Sequence, residues 1–296
     1  MKILDSHVHF WNYSIANPEF DWIGEGMEKI KKSFLPDDLI QNIGNQSNQL
    51  VETFNFELSA LNYSCIAVQA AEAWQETEFL LKLAEKNKFI KGVVGWCNVQ
   101  NFDSLFTTPH STLLKGFRHV VQAKPQGYMY SDSFRYFISK LKNRNFTYDV
   151  LIKPHQIAEA LELVSDFPNQ KFVIDHLAKP DIRNQDFDPW KSQIQEFKHL
   201  PNVYCKISGM VTEAYWQSWQ SSDFRYALDA VFETFGTSKL MYGSDWPVCL
   251  LAADYQQVVN IVAKYISELS LSEQENIFYK NAAEFYNIST KISPRG

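Results

Sequence analysis

The chain is expected to fold as an α/β protein, a (β/α)8 TIM barrel forming a single domain over residues 1–296, with a long loop after its first strand. Three observations predict this. Eight β-branched or apolar runs alternate with stretches in which apolar residues recur at helical spacing. Such alternation argues for a parallel sheet covered by helices. Eight strands in 296 residues suit a closed barrel, which typically needs about 250. The competing architecture is an open doubly wound sheet. It lacks its phosphate cradle, because no Gly-x-Gly-x-x-Gly follows any of the runs.

The first run, residues 3–11, alternates apolar and polar positions, and period two puts His7 and His9 on one face. Residues 12–48 read as a polar and aromatic excursion broken by Pro18, Gly24, Gly26 and Pro36, long enough to suggest a functional loop. Trp11, Phe20, Trp22 and Phe34 either pack this loop over the barrel mouth or give it a small core of its own. The next strands are residues 63–69, 90–97, 113–121, 148–153, 171–176, 203–208 and 240–245. Helices are expected at 76–88, 133–145, around Ile157, Leu161 and Val164, at 190–200 and at 224–235. Two more helices close the chain. The last is expected to start at Ser272, with Glu275 completing a capping box.

Composition limits the partners. The net charge is −6 and there is no basic run, which disfavours nucleic acid and acidic membranes. The sequence has no apolar segment of about 18 residues and no basic start followed by an apolar signal core. Cys65, Cys97, Cys205 and Cys249 are far apart and lie in or beside apolar runs, which suits reduced, buried thiols in a cytoplasmic protein. A homo-oligomer is compatible with all of this.

Active sites of such barrels form at the carboxyl ends of the strands. His7 and His9 end strand one, His176 ends strand six, and Asp245 ends strand eight, beside strand one once the barrel closes. Glu72 lies just past strand two, Arg118 and His119 near the end of strand four, and His155 just past strand five. Two imidazoles on one strand face can grip a metal ion or an anionic oxygen, or form a hydrogen-bonded core pair. Asp245, before Trp246-Pro247, otherwise caps a turn; His155, after Pro154, starts a helix; Arg118 pairs with a surface carboxylate. Lys115 and Lys206 read as ordinary partners of barrel carboxylates.

Several phrases carry a family resemblance: His7-Val8-His9, Val68-Gln69-Ala70-Ala71, Gly92-Val93-Val94-Gly95-Trp96, Lys115-Gly116-Phe117-Arg118-His119, Asp175-His176-Leu177-Ala178-Lys179-Pro180 and Gly243-Ser244-Asp245-Trp246-Pro247. Together they resemble the amidohydrolase superfamily, in its amidohydrolase-2 type. Within it they resemble the branch of sugar lactonases acting on L-fuconolactone and L-rhamnonolactone, related to the branch that opens 2-pyrone-4,6-dicarboxylate. The resemblance runs from about Lys2 to Ile288. It implies a lactonase of carbohydrate metabolism. His7, His9, His176 and Asp245 are then the metal-binding set, and Asp245 is also the general base. Two-metal members carry a bridging lysine or glutamate on strand four and a histidine ending strand five. Here strand four offers Lys115 or Arg118, and His155 lies beyond Pro154. That departure implies one divalent ion such as zinc, or none; the pyrone-opening branch works without metal.

The chemistry expected is attack of water on a lactone carbonyl, with Asp245 taking the proton and His7, His9, His176 or a metal facing the oxyanion. Arg118 joins Asp245 and His176 as catalytic, and Trp11, Glu72, Trp74, His119, His155 and Trp246 are candidates to hold the sugar. Three other classes compete. A pyrone-dicarboxylate lactonase should need several arginines, yet the chain has six, with Arg118 at a strand end and Arg183 a loop contributor. A metal-dependent decarboxylase uses a similar His and Asp set, and the phrases around Phe117 and His176 argue against it. A non-catalytic binding barrel is disfavoured by an intact Asp245.

Overall fold

The computed structural model describes residues 1–14, 18–46, 62–105 and 111–289. Eight parallel strands follow one another in sequence order: β1 Ile3–Val8, β2 Tyr63–Val68, β3 Ile90–Gly95, β4 Leu114–His119, β5 Thr147–Val150, β6 Phe172–Ile174, β7 Val203–Ile207 and β8 Leu240–Tyr242. The ring is completed just beyond β8. Val8 bridges Trp246, Asp245 N–H donates to the His7 carbonyl (2.9 Å), and His9 N–H donates to the Trp246 carbonyl (2.7 Å).

Helices surround the strands: α1 Pro36–Gln46, α2 Trp74–Lys86, α3 Phe102–Leu105, α4 Asp132–Leu141, α5 Ile157–Asp166, α6 Asp188–Ile194, α7 Arg225–Phe235, α8 Tyr255–Tyr265, α9 Leu271–Glu275 and α10 Asn281–Phe285. Pro36, expected to break structure in the long loop, instead opens α1, where its missing N–H costs nothing. Residues 15–17 and 47–48 of that loop lie outside the described residues. The capping box of α9 is Ser270 with Glu273, not Ser272 with Glu275. The sequence Ser-Leu-Ser-Glu-Gln-Glu contains the pattern twice, and the helix starts on the earlier copy. Glu275 pairs with Lys280 instead.

Two apolar layers hold the barrel. Most of the core lies between strands and helices, and includes Val8, Phe117, Tyr148 and Ile174. A smaller cluster fills the axis: Leu4, Ile66, Val68, Val94, Val173 and Met241, closed from below by Phe285 and Tyr286. The four cysteines are buried and free, as expected. No described helix is long and apolar enough to cross a membrane.

One irregularity in β1 positions the site. Asp5 is paired with Cys65 but Val8 with Ala67, so β1 carries one extra residue between them. Leu4 packs on the axis and Val8 packs outward, which simple alternation would forbid. The bulge resolves this and turns His7 inward with His9. Asp5 faces outward. Its carboxylate accepts from Tyr63 and Tyr255 hydroxyls (3.2 and 3.0 Å) and from the backbone N–H of Ser244 (2.8 Å), tying the first strand to the segment after the last. Burial pushes its pKa up to about 6 against the hydrogen bonds from Ser244, His7 and Tyr255.

Candidate active site

Three imidazole Nε2 atoms converge on one carboxylate oxygen. Oδ1 of Asp245 lies 3.4 Å from His9, 3.8 Å from His7 and 4.0 Å from His176. All four side chains are buried. Three of them, His9, His176 and Asp245, sit past their strands rather than on them. His176 begins a run of four non-glycine residues with positive φ, His176 to Lys179 (52°, 55°, 57° and 55°), and Asp245 has φ 58°. A left-handed residue of this kind costs on the order of 1–3 kcal/mol, and such strain persists where surrounding structure fixes it. Here the fixing contacts are visible. His176 Nδ1 lies 2.8 Å from Ser208 Oγ, and its ring packs so close to Gly209 (φ 62°) that a Cβ there would lie 2.5 Å from Nδ1.

A backbone hydrogen bond fixes the tautomer of His9. His9 Nδ1 is 2.8 Å from the Val68 carbonyl. A carbonyl only accepts, so Nδ1 carries the proton and Nε2 offers its lone pair toward Asp245. His7 Nδ1 lies 3.5 Å from Asp175 Oδ1 and 3.0 Å from Lys206 Nζ, and its Nε2 lies 3.1 Å from Arg118 Nη1. Burial lowers the pKa of all three rings, that of His176 to about 4, so they are neutral at pH 7. Burial alone would raise Asp245; in acid, where the facing His176, His9 and His7 rings take up protons, their charge outweighs burial and holds the carboxyl below its usual range.

A buried charged layer lies beneath. Lys206 Nζ pairs with Asp149, sits 3.0 Å from Asp175 Oδ1, and is 3.0 Å from His7 Nδ1. Arg118 Nη1 reaches Asp175 Oδ2 at 3.3 Å, and its Nη2 donates to the Gln69 carbonyl. Asp149 also accepts from the Tyr286 hydroxyl (2.8 Å) of the barrel floor. Asp175 is raised by burial, yet Lys206, His7 and Arg118 together hold it well below the carboxylate range; burial pushes Asp149 up to about 6.

A cavity of about 390 Å³ opens above this floor, within the range of small-molecule sites. His9, Arg118, His176 and Asp245 reach it from below. Trp22 and Trp216 stand on its walls, with the ion pair Lys179–Glu213 (3.0 Å). The residues expected to hold the sugar do not line this cavity. Trp11 is buried among Phe20, Trp22 and Phe34 and donates to the Lys32 carbonyl. Trp246 is buried against Phe10 and Phe34. His119 alternates with inward Arg118 and so points outward, to Phe134, Phe137, Tyr148 and the Cys97 carbonyl. Glu72 is paired with Lys124 and accepts from Val120 N–H. Trp74 donates to Glu78 on its own helix, and His155 is exposed in the turn before α5. Of the two lysines, Lys206 does partner barrel carboxylates, whereas Lys115 lies against Gly92.

The donor atoms suit a single divalent ion. His9 Nε2 and Asp245 Oδ1 are two electron-pair donors aimed at each other, an arrangement that a cation between them relieves, and His7, His9 and Asp245 are close enough to share one. The second triad, His7 with Asp175 and His176, already faces the cations Arg118 and Lys206.

The chain matches the family described as Amidohydrolase over residues 4–288, and it belongs to that family. It is a hydrolase. It is 35% identical to a protein named L-fucono-1,5-lactonase from Burkholderia multivorans, across 99% of this chain and 98% of that one. An L-rhamnono-gamma-lactonase of Scheffersomyces stipitis is 26% identical, over 97% and 99%. Among solved structures, an amidohydrolase from Burkholderia multivorans with bound zinc superposes with a TM-score of 0.87 at 33% identity, covering 98% of this chain and all of that one.

Proposed function

We propose that the protein hydrolyses the ester ring of an aldonolactone, such as L-fuconolactone or L-rhamnonolactone, with Asp245 as general base. The observation that carries this is the convergence of three neutral imidazoles on Asp245 Oδ1 at the floor of a cavity, with Arg118 alongside. The names of full-length relatives support the substrate class.

The ionised Asp245 takes a proton from water as the water oxygen bonds to the lactone carbonyl carbon. Negative charge moves to the carbonyl oxygen, where the buried Arg118 guanidinium stabilises it. The ring carbon–oxygen bond then breaks, and Asp245 returns the proton to the departing ring oxygen. The new carboxyl group loses its own proton to solvent. His7, His9, His176 and Asp245 would hold a zinc ion, which when bound supplies a Lewis acid for the carbonyl oxygen. Asp175 holds the His7 ring by facing its Nδ1, and Ser208 holds that of His176.

A neutral sugar suits these walls better than a dicarboxylate. The charge of Arg118 is already balanced by Asp175 and that of Lys179 by Glu213, so neither offers an uncompensated charge to a carboxylate, whereas Trp22 and Trp216 offer faces for a sugar ring. A panel of aldonolactones in a pH-indicator assay, run beside 2-pyrone-4,6-dicarboxylate and with and without chelator, tests the reading. Turnover of at least one aldonolactone faster than the pyrone is expected; faster pyrone turnover than every sugar lactone overturns it.

A further inference from the structure

We infer that Lys179 and Glu213 form a hydroxyl-recognition pair, which reads adjacent hydroxyl groups on the lactone ring while the carbonyl end lies at Asp245. This rests on the lactonase reading above and specifies what the cavity wall selects.

The pair is built into the site. Lys179 ends the left-handed run that begins at His176, and its N–H donates to the His176 carbonyl at 2.7 Å. Glu213 ends the 3-10 turn Val211–Glu213, which follows Ser208 and Gly209, the two residues that grip the His176 ring. One loop therefore starts at the His176 imidazole and the other at the residues that fix it, and they meet at Nζ–Oε1 3.0 Å on the cavity wall. The side chains are only 20% and 28% exposed, so the contact is largely withdrawn from bulk water without being sealed off.

The chemistry of the pair matches a diol. An ammonium has three N–H donors and a carboxylate has two oxygens, so one mutual bond leaves donors on Lys179 and acceptor capacity on Glu213. A hydroxyl donates and accepts, and two neighbouring hydroxyls can bond to both groups at once. The pair's own neutrality suits a neutral ligand, since neither charge is left bare when the cavity empties. Trp216 is held beside it by an indole N–H bond to the Thr212 carbonyl (3.0 Å), which sets an apolar face next to the polar edge. An aldonolactone has that division between its C–H face and its hydroxyl edge.

The test compares kcat/KM for an aldono-1,5-lactone with that for δ-valerolactone, which has the same ring and no hydroxyls. Glu213→Gln keeps the shape and Lys179→Met removes the donors. The ratio of the two kcat/KM values should fall at least about tenfold in each variant, mainly through KM for the hydroxylated ring. Titration of the corresponding aldonolactam, a ring that resists hydrolysis, should show the same loss of affinity relative to δ-valerolactam. If the pair merely straps two loops together, both lactones lose activity in proportion and the ratio stands, which overturns the inference and leaves the lactonase reading intact. Wild-type protein that turns over neither lactone, and binds the hydroxylated lactam no better than the plain one, overturns both.

Discussion

Nε2 of His9 faces Oδ1 of Asp245 at 3.4 Å while the far side of the same ring is anchored to the Val68 carbonyl. The imidazole cannot turn its proton toward the carboxylate without abandoning that anchor, so Asp245 is left free to accept one. Asp245→Asn keeps the shape and removes the base. It is expected to lower kcat by at least about a hundredfold while substrate still binds. Near-wild-type kcat in this variant would take Asp245 out of the mechanism.

The same groups set the pH profile. The proposed mechanism needs Asp245 ionised, and its carboxyl is held below the ordinary range. That mechanism also needs His176 neutral, and burial lowers that pKa to about 4. The acid limb of kcat/KM should therefore lie below about pH 5. A limb near 6.5 would mean that a histidine titrates unperturbed.

Arg118 already places a fixed positive charge 3.1 Å from His7 Nε2. Chelation, with zinc content measured on the same sample, is expected to lower kcat/KM less than Arg118→Met does. Losing the charged hydrogen bond should cost on the order of 1.5–3 kcal/mol. Complete loss of activity on metal removal would rank the ion above the guanidinium.

Lys206 is fully buried between Asp149 and Asp175. Lys206→Met leaves two buried carboxylates without their shared cation and should destabilise the fold by about 3–5 kcal/mol in urea unfolding. A change below 1 kcal/mol would mean that the carboxylates are protonated or reach water.

Glu76 makes an opposite prediction. Burial pushes it up to about 8, although the N–H groups of Ala70 and Ala71 bond to it. A carboxyl raised in the folded state contributes stability below its unfolded pKa and loses it as pH rises through the folded value. Glu76→Gln mimics the protonated form. Its stability relative to wild type should therefore rise between about pH 4.5 and pH 8. Parallel pH dependences for the two proteins would refute this.

The barrel was legible because parallel strands covered on both sides read as apolar runs. His7, His9, His176 and Asp245 were legible because a barrel collects strand ends at one mouth. The bulge in β1 was not, since its cue is a pairing register rather than a residue type. His119 could have been placed by alternation from Arg118: if one points inward, its neighbour points outward. Trp11 and Trp246 have the residue type of sugar platforms but are used as core, and nothing local separates those uses. Lys179, Glu213 and Trp216 carry no sequence cue as cavity groups, because loops after strands six and seven bring them together. Only the strained turn, absent from any propensity, aims Lys179 at the wall.

Asp149, in the fifth strand, finds its hydroxyl partner in Tyr286, which the ribosome releases only after all eight strands. Until that tyrosine arrives, the nascent barrel has no floor and its interior charges lie open to water. Hydrolytic competence should thus appear late and all at once during synthesis, when the residues around 286 emerge from the exit tunnel, rather than growing strand by strand.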